Sequence, residues 1–446
     1  MKPERIKKLS LKTYTIALII AFFVGLVLGG AIVYSQSSNE NITIVSGSFT
    51  ETASYVIFRE GDTYYAKNGT TGEIEFWGTD ASQVIQSTID ALNVGGGGGT
   101  IYFEPGIYVL TNKITLGIGI CLHLGEVTSI YASRGVEIEP SDSFSDTALI
   151  KLNHESHIFG GVFDGKGLPV NIFEAEDARG VKILYTRAYN VGGWFIKGQS
   201  SEGNGNWYII GNKASIGGGT GGIYLRNYPD LLIAHNDIGA GPTNPPSDAV
   251  LRLERCGQSK IINNRFYGGV YNILIGDGVN QERGIVIRGN RLEDAQRHAM
   301  FINTTLRLGV IAYNRAWAGS RESSGTYDGI HIETLSSGSA FALNDISHNI
   351  LRGEGGESQF AYGIRLVDNG AGEANNRIVC NDISNAAIGG IYGFNHSGDI
   401  IKFNKGYVTE NSGTATISAS TSVSFEHGLV GTPTHVEIGW KDTGYG

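Results

Sequence analysis

His298, Asp328, His331, Glu333 and Arg365 lie within 68 positions of one another, and their types are those that move protons and hold negative charge. Histidine changes charge near neutral pH, and a carboxylate beside it can trade a proton with it. They belong to a phrase that returns along the chain, a small residue followed by an apolar run. It reads Gly222-Ile223-Tyr224-Leu225, Gly329-Ile330-His331-Ile332, Gly363-Ile364-Arg365-Leu366 and Gly390-Ile391-Tyr392. Aligned on this phrase, one column is Gly221, Asp248, Tyr271, His298, Asp328, Tyr362 and Gly389. A second column, two or three residues later, is Tyr224, Leu274, Phe301, His331, Arg365 and Tyr392, with Arg252 assigned to it. If each phrase is one strand of a stack, His298 and Asp328 stand roughly 5 Å apart on neighbouring strands and form an acid–base pair. Asp248, in the same column, is the third catalytic candidate. His331, Glu333 and Arg365 would bind the charged groups of a substrate, and Tyr271 and Tyr362 would offer it flat aromatic surfaces. Glycoside hydrolysis needs two carboxyl groups roughly 5 to 9.5 Å apart. Asp328 and Glu333 meet that only by reaching toward each other, and Asp248 is three repeats from Asp328. The plain alternative stands beside this one: Asp before Gly is a common turn residue, and His, Tyr and Arg are ordinary on a solvated sheet.

The element that must position these residues is a repeat. An apolar-x-x-Asn phrase recurs as Ile209 to Asn212, Ile233 to Asn236, Ile261 to Asn264, Ile287 to Asn290 and Ile311 to Asn314, at steps of 24, 28, 26 and 24 residues. After a looser section it resumes at Ile378 to Asn381 and Ile401 to Asn404. A fixed period in this range marks a repeat architecture in which no repeat can bury its apolar face alone. Two short strands per repeat predict an all-β parallel β-helix, with Ile, Leu and Val pointing into a narrow interior. The asparagines sit at turns, where Asn tolerates left-handed backbone and bonds its neighbours. Stacked between coils they would form a ladder, which makes them scaffold rather than chemistry.

Composition agrees. Glycine is 65 of 446 residues and proline only 9, which suits turns rather than disorder. A net charge of -9 and a pI near 5.6 argue against a nucleic-acid partner, which wants a basic stripe. Cys121, Cys256 and Cys380 are odd in number and far apart, so neither a metal framework nor a disulfide set can be read from them. They are expected to be buried small hydrophobes.

Along the chain, residues 1–13 carry Lys2, Arg5, Lys7, Lys8 and Lys12, and the uncharged run 14–35 is long enough to cross a bilayer. A single-pass signal anchor is expected, with the basic flank cytoplasmic and the body extracellular. A cleaved signal peptide, with Val33 and Ser35 at its cleavage positions, is the rival reading. Residues 36–76 form a polar stem with strands around Ser54–Phe58, Thr63–Ala66 and Gly72–Phe76. Asn41, Asn68, Asn303 and Asn395 are sequons. The stretch from Thr79 to Leu92 predicts a helix with Asp80 as N-cap and Val84, Ile85, Thr88, Ile89 and Leu92 on one face. Residues 411–446 alternate like a small β module, expected to be incomplete.

The run Asp80-Ala81…Ile85-Gln86…Ile89-Asp90-Ala91-Leu92, a glycine-rich turn, then Thr100-Ile101-Tyr102-Phe103-Glu104-Pro105-Gly106…Tyr108 resembles the opening of pectate-lyase-like, right-handed parallel β-helix proteins. The family usually has two prolines before that glycine; Glu104 replaces one here. The segment His157-Ile158-Phe159-Gly160-Gly161-Val162-Phe163-Asp164-Gly165 is similar to a coil-turn signature of the same superfamily. With the repeats, the resemblance covers residues 77–410. It implies a helix capping a right-handed coil stack and a polysaccharide partner. The family's active-site strings do not carry over: there is no Asp-Asp pair, no Gly-His-Gly, no Asp-Pro-His-Glu, and within the repeats no Arg-Ile-Lys. Glycan cleavage, by hydrolysis or by elimination with calcium as the cofactor, is the leading expectation. A glycan-binding adhesin or spike without catalysis is the second, and a homotrimeric fibre the third.

Overall fold

The computed structural model describes residues 53–94, 97–125, 135–353, 359–396 and 398–409, with 429 and 436 in isolation. The expected anchor at 14–35, the sequon at Asn41 and the strands expected within 411–446 lie outside these residues. Among the described residues, no helix is long and apolar enough to cross a membrane.

Apolar-x-apolar triplets between tight turns give strands mostly three to six residues long, and each lies parallel to the strand one repeat before and one repeat after it. The chain therefore winds through three long sheets in turn. Sheet A has 15 strands and contains the Ile of the asparagine phrase; sheet B has 10 and follows the asparagine; sheet C has 11 and contains the small-residue phrase. A fourth sheet, D, has four short strands, beginning at Glu282–Arg283. Register is uninterrupted down sheet A: Ile209 faces Ile233, then Ile261, Ile287, Ile311, Ile346, Ile378 and Ile401. The looser section is thus a full repeat, Ile346 to Asn349. Apart from the half-buried Ile401 at the end of the row, these residues, with Leu225, Leu253, Ile275 and Ile302 from sheet C, are fully buried. Each removes about 1.5–3 kcal/mol worth of apolar surface from water.

At the corner between sheets A and B the asparagines form one buried column: Asn212, Asn236, Asn264, Asn290, Asn314, Asn349, Asn381 and Asn404. In each interior member, Nδ2 donates to the next Oδ1 and to a carbonyl one coil back. For Asn264 these bonds are 3.0 Å to Asn290 Oδ1 and 2.9 Å to Ile233 O. Its own Oδ1 accepts from Asn236 Nδ2 and from the Asn236 backbone N–H, both at 2.9 Å. The left-handed backbone expected of these asparagines belongs instead to the residue before each, among them His235, Asn263, Tyr313, His348 and Cys380, with φ of 55–58°. The turn is made one residue early, which leaves the asparagine free to point inward. Asn344 and Asn376 make a second, shorter ladder, with Asn344 Nδ2 donating to Asn376 Oδ1 at 3.0 Å.

The N-terminal end is closed as its sequence predicts. Helix α1, Ala81–Asn93, is capped by Asp80, whose side chain accepts from Ser82 N at 2.8 Å, and it buries Val84, Ile85, Thr88 and Ile89. Before it, antiparallel strands β1 (Tyr55–Glu60), β2 (Thr63–Asn68) and β3 (Ile74–Gly78) join sheet A, with β1 parallel to the strand Gly99–Phe103. Of the cysteines only Cys256 is buried; Cys121 is half-buried and Cys380 exposed. Cys380 departs from expectation because it occupies the corner before Asn381, where the side chain points outward.

Replacing Asn264 by Ala takes the acceptor from the Asn236 backbone N–H and from one Asn236 Nδ2–H, and removes the side-chain donors to Asn290 Oδ1 and the Ile233 carbonyl. Thermal or denaturant melts should show a loss of about 3 kcal/mol or more. A loss below about 1 kcal/mol would mean that the ladder is not needed for the stack.

Candidate active site on the outer face of sheet C

The register of sheet C decides which sequence-predicted residues meet. Phe301 pairs with His331, His331 with Arg365, and Arg365 with Tyr392, so these side chains form one outward row. Upstream the row continues through Leu274, Arg252 and Tyr224. In the preceding column, Tyr271, His298, Asp328 and Tyr362 follow from the same register. Asp248 does not join it. Ile223 pairs with Leu251, which places Ala249 in that column and Asp248 one residue outside it. The reason is the long loop before the strand, whose length the repeat does not constrain. Asp248 spends its carboxylate on Arg252 Nη1 at 2.7 Å and on the Ala249 N–H at 2.7 Å.

Asp328 meets two histidines: His298 Nδ1 lies 3.8 Å from its Oδ2, and a closer chain runs through Asp328, His331 and Glu333. Asp328 is fully buried; its Oδ2 lies 2.6 Å from His331 Nδ1, and its Oδ1 accepts from the Tyr362 N–H at 3.0 Å. His331 Nε2 lies 3.0 Å from Glu333 Oε1. His331 thus bridges a buried and an exposed carboxylate through its two ring nitrogens. The His331 side chain is 8% exposed and Glu333 37%, so Glu333 is the end of the chain that a substrate reaches.

His298 is held differently. Its Nδ1 accepts from the Asp328 backbone N–H at 2.8 Å, while Asp328 Oδ2 lies 3.8 Å away. The ring stacks on His331 at 4.2 Å and on Tyr271 at 6.1 Å, and Tyr327 packs edge-on at 5.3 Å. Burial, then the neighbouring His331, Arg365 and Arg297 push the His298 pKa down to about 2, against the hydrogen bond from Asp328. His298 is therefore held neutral, with Nδ1 accepting from the Asp328 N–H and its proton on Nε2. Sequence spacing found its place; its stacking and tautomer depend on ring orientation, which spacing does not carry. Tyr327, next to Asp328 in sequence, was missed for the same reason.

Arg365 lies between two rings, 5.4 Å from the Tyr362 centroid and 5.6 Å from that of Tyr392. Its Nε is buried without a hydrogen-bond partner, and it meets no carboxylate among the described residues. By contrast, Arg252 on the same row is held by Asp248 and Glu254.

Ligand atoms of His298, Asp328 and His331 lie within 4.8 Å of one another, close enough for one metal ion. The set fits calcium poorly. The Nδ1 lone pair of His298 is taken by a backbone N–H and its Nε2 carries the proton, and calcium prefers six to eight oxygens. Glu137, Glu139 and Asp164 form an all-oxygen group on sheet B, where Lys166 Nζ already lies 3.0 Å from Glu139 and the Tyr189 hydroxyl donates to Glu137.

No protein-family model matches the chain, and no curated protein does. Solved structures do. The A-module of the Azotobacter vinelandii mannuronan C-5 epimerase AlgE4 superposes with a TM-score of 0.52 at 16% identity, over 72% of this chain and 96% of that one. The chain has the right-handed parallel β-helix fold. A mutant tailspike of E. coli bacteriophage HK620, in complex with a pentasaccharide, superposes on this β-helix with a TM-score of 0.51 at 13% identity, over 73% of this chain and 61% of that one. The catalytic domain of a GH87 alpha-1,3-glucanase in complex with tetrasaccharides also gives 0.51 at 13% identity, over 81% and 71%. At these identities the likeness is one of fold.

A histidine whose folded pKa lies below its unfolded value, about 6.5, stabilises the fold above that value and loses the contribution as pH falls. His298→Phe keeps the ring stack and removes the titrating nitrogen. In denaturant melts, the stability gap between wild type and variant should shrink by about 2 kcal/mol from pH 7 to pH 5. A gap that stays constant over that range would show that His298 titrates normally.

Proposed function

We propose that the β-helix is a polysaccharide-active protein that cleaves an acidic glycan by elimination on the outer face of sheet C. The observation that carries this reading is the Asp328–His331–Glu333 chain, which ends in one reachable carboxylate beside the unpaired cation Arg365. Hydrolysis asks for two reachable carboxyl groups. Asp328 is sealed in, with both oxygens occupied, so only Glu333 remains. One acid–base group suits proton abstraction from a sugar carbon next to a carboxylate. In this scheme Glu333, in exchange with His331, takes the proton. The electron pair forms a carbon–carbon double bond as the bond to the glycosidic oxygen breaks, that oxygen takes up a proton from water, and Asp328 keeps the imidazole oriented. Arg365 binds the sugar carboxylate and stabilises the charge that grows on it. Tyr271, Tyr362 and Tyr392 flank the site as surfaces for neighbouring sugars.

The fold likeness to an epimerase module, a glucanase and a tailspike supports a glycan partner and leaves the reaction open. A signal anchor over 14–35 would hold this face outside the cell. The second reading, a surface adhesin or trimeric spike, is supported by the same exposed aromatic row and by the tailspike likeness; sedimentation mass would reveal a trimer.

Incubating the protein with a panel of neutral and acidic polysaccharides, with and without calcium, should yield unsaturated uronate ends from an acidic glycan. Glu333→Gln and His331→Gln should each lower kcat by about 10²–10⁴-fold. Arg365→Gln should cost acidic substrates most, and His298→Phe should stay within about tenfold of wild type. Saturated reducing ends would replace elimination by hydrolysis. Saturable binding without products would favour the adhesin, and calcium-dependent products would bring a metal into the reaction.

A further inference from the structure

Sheet B carries a second outward row that the chemistry of sheet C does not use. Arg187, Lys213, Asp237, Arg265, Arg291 and Arg315 are paired in register on six consecutive strands. Five of these six positions are cationic, in a chain whose net charge is -9. Like charges directly opposite on adjacent strands are destabilising, yet Arg265, Arg291 and Arg315 stand side by side. The protein's own acids neutralise only part of the row. Asp237 lies 3.5 Å from both Lys213 and Arg265, and Glu293 lies 3.0 Å from Arg265 and also pairs with Arg291. Arg187 and Arg315 meet no carboxylate among the described residues, and Arg187 Nη1 is buried without a hydrogen-bond partner.

The adjoining column holds the guanidinium groups in place. Arg265 lies 4.5 Å over the Tyr267 ring, and Arg291 and Arg315 lie 4.3 and 4.9 Å over the Trp317 ring. Cation–π contacts of this kind fix an arginine without cancelling its charge. The result is a straight row of cations at the strand spacing, about 4.8 Å, along the coil axis.

We propose that this row is a docking strip for a linear acidic polysaccharide, laid along the axis with its anionic groups over successive cations. A polyuronide carries one carboxylate per sugar, a repeat comparable with one coil. A single-stranded nucleic acid fits less well, because its binding relies on open aromatic faces that stack on bases. Here the faces of Tyr267 and Trp317 are covered by arginine. The strip lies on a different sheet from His331 and stands independently of the elimination chemistry; it would hold a polymer that the other face could act on.

The test compares the full-length wild type, the triple variant Arg265→Gln, Arg291→Gln, Arg315→Gln, the single variant Arg315→Gln, and Arg365→Gln. Each is titrated with polygalacturonate, a neutral glucan and single-stranded DNA over a range of salt. The triple variant should bind polygalacturonate about tenfold or more weakly at low salt, with a flatter salt dependence, and should bind the neutral glucan as wild type does. Arg315→Gln, which breaks no ion pair, should give a smaller loss in the same direction and guards against misfolding of the triple variant. Wild-type affinity for polygalacturonate in both sheet B variants would overturn the proposal. So would tighter, strip-dependent binding of DNA than of polygalacturonate. Loss in Arg365→Gln alone would leave the sheet C reading standing and remove the strip; loss in the sheet B variants alone would do the reverse.

Discussion

The buried asparagine column is the constraint on which the rest of the molecule depends. A coil of 23 to 35 residues encloses a narrow apolar interior, and apolar contacts alone would tolerate slippage of one coil against the next. The side chain of each interior ladder asparagine gives two N–H bonds and receives two, all inside the protein, where an unmade bond is costly. A slip in register would break four bonds at each corner it reached. The ladder therefore holds sheet A, the turn into sheet B, and through it the start of each strand on sheet C. One residue of slip would turn every outward side chain of sheet C inward.

That register explains how residues some thirty positions apart come to touch. Asp328 is a carboxylate with no access to water, a costly placement unless every oxygen is bonded. It is bonded by the Tyr362 N–H from the next coil and by His331 from its own strand. Its backbone N–H in turn fixes the tautomer of His298 one coil back. Three consecutive coils must thus be in place before the imidazole of His331 is oriented. Glu333 and Arg365 then stand at the surface with their charges available.

Much of the fold was legible. The Ile-x-x-Asn spacing, the capping helix and the outward row through Tyr224, Leu274, Phe301, His331, Arg365 and Tyr392 appear in the structure, because the period of a solenoid is written once per coil. Reading failed where the period was locally obscured. The repeat ending at Asn349 was passed over behind a loop-lengthened coil, and Asp248 was placed one residue off by another long loop. The cationic row on sheet B had a signal too: Asn264-Arg265, Asn290-Arg291 and Asn314-Arg315 repeat an Asn-Arg pair. Overall composition averages such a stripe away, because the acids of the other faces outnumber its cations.

By itself, then, the amino-acid sequence determined a parallel coil stack, its cap, its interior and the set of residues available on each outer face. These follow from periodicity and local preference, which are properties of neighbouring residues. Only the tertiary structure decided which proton carrier meets which carboxylate. His298 and His331 are both within reach of Asp328 by spacing, and their roles separate by a hydrogen bond to a backbone N–H in one case and to a carboxylate in the other. That choice depends on side-chain direction, ring stacking and the exclusion of water, quantities that exist only after the coils have closed over one another.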